Sequence, residues 1–178
     1  MDISFGQIFS TIVNLMAVSA ETAPKARGDS FLIYKAVEGD KLRELTESMI
    51  NLTEHFADRN FIRDGKNVEK CLGVLLIGMK GATTVNLNCG ACGYDTCAKM
   101  KEAKPHEGKS FYGPVCSMRY IDFGIALGSA VKTAGLLNVD NRIMYRIGVA
   151  AKKIKLIDAD IVMGIPISIS GKNIFFDR

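Results

Sequence analysis

Leu72-Gly-Val-Leu-Leu-Ile-Gly-Met79 is a short continuous apolar run near the middle of the chain. Its length suits a strand buried on both faces rather than a bilayer span. Such a strand needs helices to cover it, and the flanking sequence supplies them. Upstream, Leu42, Leu45, Met49, Leu52 and Phe56 lie on one face of an amphipathic helix over about 40–58. Phe5, Ile8, Phe9, Ile12, Val13 and Met16 recur at the same spacing over about 3–21. Pro24 and Gly28 break the chain after that first helix, and Ser30 to Val37 reads as another strand.

The remaining elements follow from the same rules. Asn60 to Lys70 is polar and contains Asp64-Gly65, so it reads as a loop. Thr83 to Leu87 reads as a short strand. Met118 to Thr133 has helical spacing, with Gly124 and Gly128 small enough to let another backbone approach, and Gly135 is a helix stop. Asp140 or Asn141 caps a helix over about 142–153. Ile161 to Ser170 closes the chain as a strand whose pairing Pro166 limits. Helices alternating with apolar strands predict an α/β domain, a layered sheet with flanking helices. At 178 residues, 48% hydrophobic and 24% charged, the chain suits one ordered domain over 1–178. Within it, residues 86–117 read as an inserted cysteine-rich segment.

That segment holds the strongest chemical signal. Four of the five cysteines fall in the pattern C-x2-C-x4-C-x18-C: Cys89, Cys92, Cys97 and Cys116. Three thiols within nine residues converge when a compact loop wraps around something. Gly90 and Gly93 can adopt positive φ and turn backbone N–H groups toward cluster sulfurs. Asp95 or Thr96 can cap a short helix that places Cys97 in its first turn. The chain returns through Gly113-Pro114 to Cys116. Four thiolates in this arrangement suggest an iron–sulfur cluster. Structural zinc is an alternative, although it usually takes two short-spaced pairs. A redox dithiol at Cys92 and Cys97, or at Cys89 and Cys92, is another. Cys71, ahead of the apolar strand, reads as a small buried hydrophobe.

The segment Cys89-Gly-Ala-Cys-Gly-Tyr-Asp-Thr-Cys97-Ala, with Cys116 beyond it, resembles a four-iron four-sulfur binding domain. That domain occurs in electron-transfer subunits of bacterial membrane redox complexes and in corrinoid iron–sulfur proteins. The resemblance implies that each of the four cysteines binds one iron of a 4Fe–4S cluster used for electron transfer or redox sensing. The whole chain resembles a family of short, uncharacterised microbial proteins containing a ferredoxin domain. Ala23-Pro24-Lys25-Ala26-Arg27-Gly28, Val139-Asp140-Asn141-Arg142-Ile143-Met144-Tyr145 and Asn173-Ile174-Phe175-Phe176-Asp177-Arg178 carry that match with the cluster loop. The scaffold is also similar to flavin-dependent nitroreductases, with an early helix ending in Ala-Pro and a final strand before a terminal Arg. That likeness implies a nitroreductase-like fold, a homodimer, and FMN whose phosphate Lys25, Arg27, Lys172 and Arg178 would hold. The Arg-rich N-terminal phosphate motif of those enzymes is missing here. Under this resemblance the chain is an oxidoreductase, a reductase in which the cluster feeds FMN.

The bulk charge narrows the partners. A formal net charge of +4 is mild, and clusters such as Lys99-Met100-Lys101 and Lys152-Lys153 read as solvated faces, so no nucleic-acid partner is expected. No apolar run reaches a membrane-spanning length, and the N-terminus lacks the basic region of a signal peptide. A cytoplasmic location is therefore expected, where clustered thiols serve metal or redox chemistry rather than disulfides. The partner implied is a redox protein. His55 and His106 read as ordinary surface imidazoles.

Overall fold

The computed structural model describes residues 5–176. In chain order it comprises α1 (Phe5–Thr22), a 3₁₀ turn (Ala26–Gly28), β1 (Leu32–Val37), α2 (Gly39–Phe56), α3 (Asn60–Glu69) and β2 (Gly73–Met79). There follow α4 (Cys97–Glu102), β3 (His106–Glu107), β4 (Tyr112–Gly113), α5 (Ser117–Leu136), β5 (Asp140–Asn141), α6 (Tyr145–Lys153) and β6 (Ile161–Ser168). The main sheet has the order β1-β2-β6-β5 with antiparallel neighbours throughout, and β3 and β4 form a separate small hairpin.

All seven residues of β2 are buried, because both faces of the sheet are covered. Val74 and Leu76 point into a core with Leu45 and Met49 of α2, Phe61 and Val68 of α3, and Ile147 of α6. Leu75 and Ile77 point the other way, onto Phe9, Val13 and Met16 of α1 and Phe123 and Ala126 of α5. The result is a three-layer helix–sheet–helix domain. Continuous apolar strands usually belong to parallel sheets. Here an antiparallel strand has that composition because helices cover it on both sides.

Backbone approach sets the spacing of one layer. A Cβ built on Gly148 of α6 would lie 1.8 Å from the carbonyl oxygen of Val162, and one on Gly164 of β6 would lie 2.1 Å from Ile147 Cγ2. Only glycine fits at either position. Pro166 lies inside the sheet, two residues beyond Gly164. Gly164 exchanges both backbone hydrogen bonds with Met144, so Pro166 presents its missing N–H to the same side. There the register shared by β5 and Met144 would set it opposite Arg142, and the ladder is interrupted at that position, as a proline that cannot donate requires.

Four expectations change. Asp140 and Asn141 do not cap a helix but form β5, with Met144 preceding α6. Asn60–Lys70 is not a loop but contains α3. Asp58 Oδ1 accepts from Asn60 N–H at 3.0 Å, and Phe61, Asp64, Gly65 and Val68 form its buried face. Gly65 lets α3 lie close on α2, since a Cβ there would meet Ile50 at 3.2 Å. Buried Asp64 is paired by Arg63 and by Arg146. Thr83–Leu87 forms no strand, because Thr84 Oγ1 bonds Asn86 Oδ1 and Asn86 turns the chain at φ 63. Gly124 and Gly128 meet nothing within 4 Å; they face outward beside exposed Ile121 and Ile125. No helix among the described residues is long and apolar enough to cross a membrane.

The contrast between these glycines is measurable. Gly148→Ala is expected to destabilise by about 3 kcal/mol through overpacking. Gly128→Ala, in an exposed helix interior, is expected to stabilise by about 0.5–1 kcal/mol. Denaturant unfolding of the two variants checks both signs.

Candidate metal centre

The chain leaves the sheet at the end of β2 and returns to the scaffold at α5, and the four cysteines lie between. Cys97 is the first residue of α4, whose cap is Thr96, its hydroxyl accepting from Lys99 N–H at 3.2 Å. Asn88 closes the loop on Cys97 from both sides. Its N–H donates to Cys97 Sγ at 3.3 Å, and its side-chain oxygen accepts from Cys97 N–H at 2.8 Å. Within that ring Gly93 N–H bonds Gly90 carbonyl at 2.9 Å, with both glycines at positive φ. Cys89 is exposed on the ring.

Cys116 is buried and caps the N-terminus of the twenty-residue α5, its carbonyl accepting from Arg119 and Tyr120 N–H. It packs with Val85 and Met100, and Cys92, Tyr94 and Met118 lean on the same small cluster. Cys92 and Cys116 therefore share one apolar patch, while Cys97 is held by Asn88. All five cysteines are free thiols. Among the described residues no three of His, Cys, Asp and Glu are gathered tightly enough to hold one metal ion. A lone zinc needs its four thiolates about 2.3 Å from a single point. Cys71 stands apart, donating to Gly73 carbonyl at 3.3 Å, and burial pushes its thiol up to about 12.

Beneath the loop lies a buried cation not foreseen in the sequence. Arg119, 1% exposed, donates to the carbonyls of Thr83 at 3.0 Å and Ala26 at 2.9 Å, and pairs with Asp29 at 2.8 Å and Asp122 at 3.1 Å. Asp122 also accepts from Ala26 N–H at 2.9 Å, which supplies the partner that its apolar neighbours in sequence call for. Asn88 and Arg119 are the residues that sequence reasoning missed. The one hint was the i, i+3 spacing of Arg119 and Asp122.

Of the basic residues assigned to an FMN phosphate, Lys25, Arg27 and Lys172 fall within the described residues. Lys25 Nζ donates to the carbonyls of Ala20, Glu21 and Ala23, closing the end of α1. Arg27 is exposed at φ 63. Arg178 lies outside the described residues. Near the cysteines, Lys99 pairs with Asp95 at 2.5 Å and Lys101 with Asn86 at 2.9 Å.

Removing one partner of a buried charged network leaves the others uncompensated. Arg119→Ala is expected to cost about 3–5 kcal/mol of unfolding free energy, read by denaturant titration. In the metal-free protein near neutral pH, iodoacetamide is expected to modify exposed Cys89 well before Cys71, whose thiolate is scarce. Peptide mapping of a timed reaction checks that order.

Residues 112–178 match a family model described as an uncharacterized protein containing a ferredoxin domain; of the four cysteines, that stretch includes Cys116. A ferredoxin domain binds an iron–sulfur cluster. The chain is 49% identical over 164 residues to an uncharacterized protein of Archaeoglobus fulgidus, covering 92% of this chain and 88% of that one. Among solved structures, NfrA2 of B. megaterium superposes with a TM-score of 0.51 at 13% identity over 97% of this chain. This chain spans 61% of NfrA2. A mutant of NfnB, an FMN and NADPH-dependent nitroreductase of Sphigopyxis sp. strain HMH, gives 0.54 at 10% identity, covering 96% of this chain and 81% of that one. At such identities the likeness establishes a nitroreductase-like fold and nothing more. With nearly half its residues shared across most of both sequences, the chain belongs to the family of uncharacterized proteins containing a ferredoxin domain.

Proposed function

We propose that the chain binds one 4Fe–4S cluster through Cys89, Cys92, Cys97 and Cys116 and uses it to transfer or sense electrons. The observation that carries this reading is the ring closed by Asn88. It holds Cys97 by an N–H to sulfur bond of the kind that tunes cluster potentials, on a loop whose other thiols are free. The donor set fits: four thiols, flexible glycines between them, and Cys116 at the positive end of a long helix, which favours an anionic group. Bound there, the cluster would supply one-electron chemistry. The residues of this chain would hold it, donate hydrogen bonds to its sulfurs and shield one side with Val85 and Met100. Exposed Cys89 and Leu87 leave the other side open to a redox partner protein. Four irons spread their ligands over the corners of a cube, a wider spacing than a single zinc requires, and this favours the cluster over structural zinc.

A second reading, an FMN-dependent reductase fed by the cluster, draws support from the scaffold likeness to NfnB. A homodimer is supported by the apolar side chains that α1 and α5 leave exposed, Leu15, Val18, Tyr120, Ile121 and Ile125.

Anaerobic reconstitution tests the main reading. The wild-type chain is expected to take up about four irons and four acid-labile sulfides, with visible absorption that bleaches on reduction. Cys116→Ser is expected to lose most of that iron, and Cys71→Ser none. Stoichiometric zinc without labile sulfide would sink the cluster. Absence of flavin binding at micromolar protein would sink the reductase alone.

A further inference from the structure

On the sheet face covered by α2, α3 and α6, a groove runs between the ends of α2 and α6 and the turn of the β3–β4 hairpin. One lobe, of about 250 Å³, is lined by His55, Phe56, Lys109, Lys152, Lys153 and Lys155, over a floor that includes Leu52 and Val149. The adjoining lobe, of about 540 Å³, shares Glu107, Lys152 and Lys155 with the first and adds Tyr112, Asp158 and Asp160. Together the lobes fall within the size of small-ligand sites, about 300–1,000 Å³.

The cations here are not held by ion pairs: among the described residues, no carboxylate oxygen lies within 4.0 Å of the ammonium groups of Lys109, Lys152, Lys153 or Lys155. Lys109 sits 4.8 Å over the ring of Phe56, and Lys152 sits 3.8 Å over that of Tyr112. These ring contacts hold the charges at the mouth of the groove. Lysines at a helix end commonly serve its carbonyls. The end of α6 is instead closed by backbone, Leu156 N–H to Ala151 carbonyl at 2.9 Å and Lys155 N–H to Lys152 carbonyl at 3.0 Å. Lys155 takes the left-handed position of that motif at φ 57, where glycine is the favoured residue. A lysine is thus kept at a strained position whose side chain lines both lobes. Burial lowers the Lys152 ammonium below the usual lysine range, against the opposing pull of Glu107, Asp160 and Asp158. A partly desolvated cation of this kind gains from a bound anion.

We propose that this groove binds an organic phosphate of nucleotide type. The phosphates lie among Lys109, Lys152, Lys153 and Lys155, and the polar organic part reaches Glu107, Asp158 and Asp160 in the adjoining lobe. Several cations in one lobe call for more than one negative charge. The walls of Leu52 and Phe56, and the carboxylates beyond, call for an organic part that offers hydrogen-bond donors. The site does not depend on the cluster, so its test needs none.

The test is isothermal titration of the full chain with ADP, pyrophosphate and adenosine as probes. ADP is expected to fill one site per chain at micromolar concentration, with pyrophosphate weaker and competitive and adenosine weaker by at least about tenfold. Lys152→Ala is expected to weaken ADP by about tenfold or more. Lys155→Gly is expected to weaken ADP while the thermal midpoint holds or rises, because glycine suits the left-handed position. The proposal fails if ADP gives no heat at millimolar concentration, if pyrophosphate binds as tightly as ADP, or if both variants bind ADP undiminished.

Discussion

One buried guanidinium ties the molecule together. Arg119 stands in the first turn of α5, where the chain has just left the cysteine segment, and reaches back to Thr83, where the chain is about to enter it. The same group holds Ala26 and Asp29, the turn that follows α1, and lies 4.7 Å over the ring of Phe31. Burying a charge is costly unless it is paired and fully hydrogen-bonded. Arg119 meets that condition with two carbonyls and two carboxylates. The requirement fixes three stretches of chain, 26–31, Thr83 and the start of α5, relative to one another, and the placement of the cysteine loop follows from it.

The scaffold that carries this network depends on an equally strict steric condition. β2 is apolar along its whole length and covered on both sides, so its register with β1 and β6 places every side chain in one core or the other. On one side α6 rests backbone to backbone on β6 at Gly148 and Gly164. On the other, α1 and α5 are joined by a polar seam in which Ser19 bonds both Thr133 and Ser129. The outer surfaces of those two helices keep large apolar side chains in solvent, whereas the opposite layer ends in the lysine groove. The two faces of the domain therefore differ in kind.

Much of this was legible in the sequence where a local pattern decides the outcome. The apolar run at 72–79, the stripes of α1 and α2, and the cap at Thr96 all lie within a few residues of what they determine. The spacing of Cys89, Cys92, Cys97 and Cys116 pointed to a cluster for the same reason, and the family description agrees at the level of an iron–sulfur protein. The polar segment 60–70 misled because the helix there is settled from outside, by Arg146 reaching Asp64 from 82 residues away. Arg119 and Asn88 were invisible for a related reason: their roles are defined by partners that only the fold brings near. Lys152 and Lys153, a solvated face by sequence, line a concavity because the hairpin turn at Lys109 folds over the end of α6.

The shared grip of Arg119 on both ends of the cysteine segment also bears on how that segment can change. A loop whose ends are already fixed side by side gains or loses residues at small entropic cost, about 0.6 kcal/mol for each doubling of its length. Thr83 and Arg119 hold those ends together whatever lies between them. The stretch that carries the thiols can thus change in length at small cost to the three-layer domain beneath it.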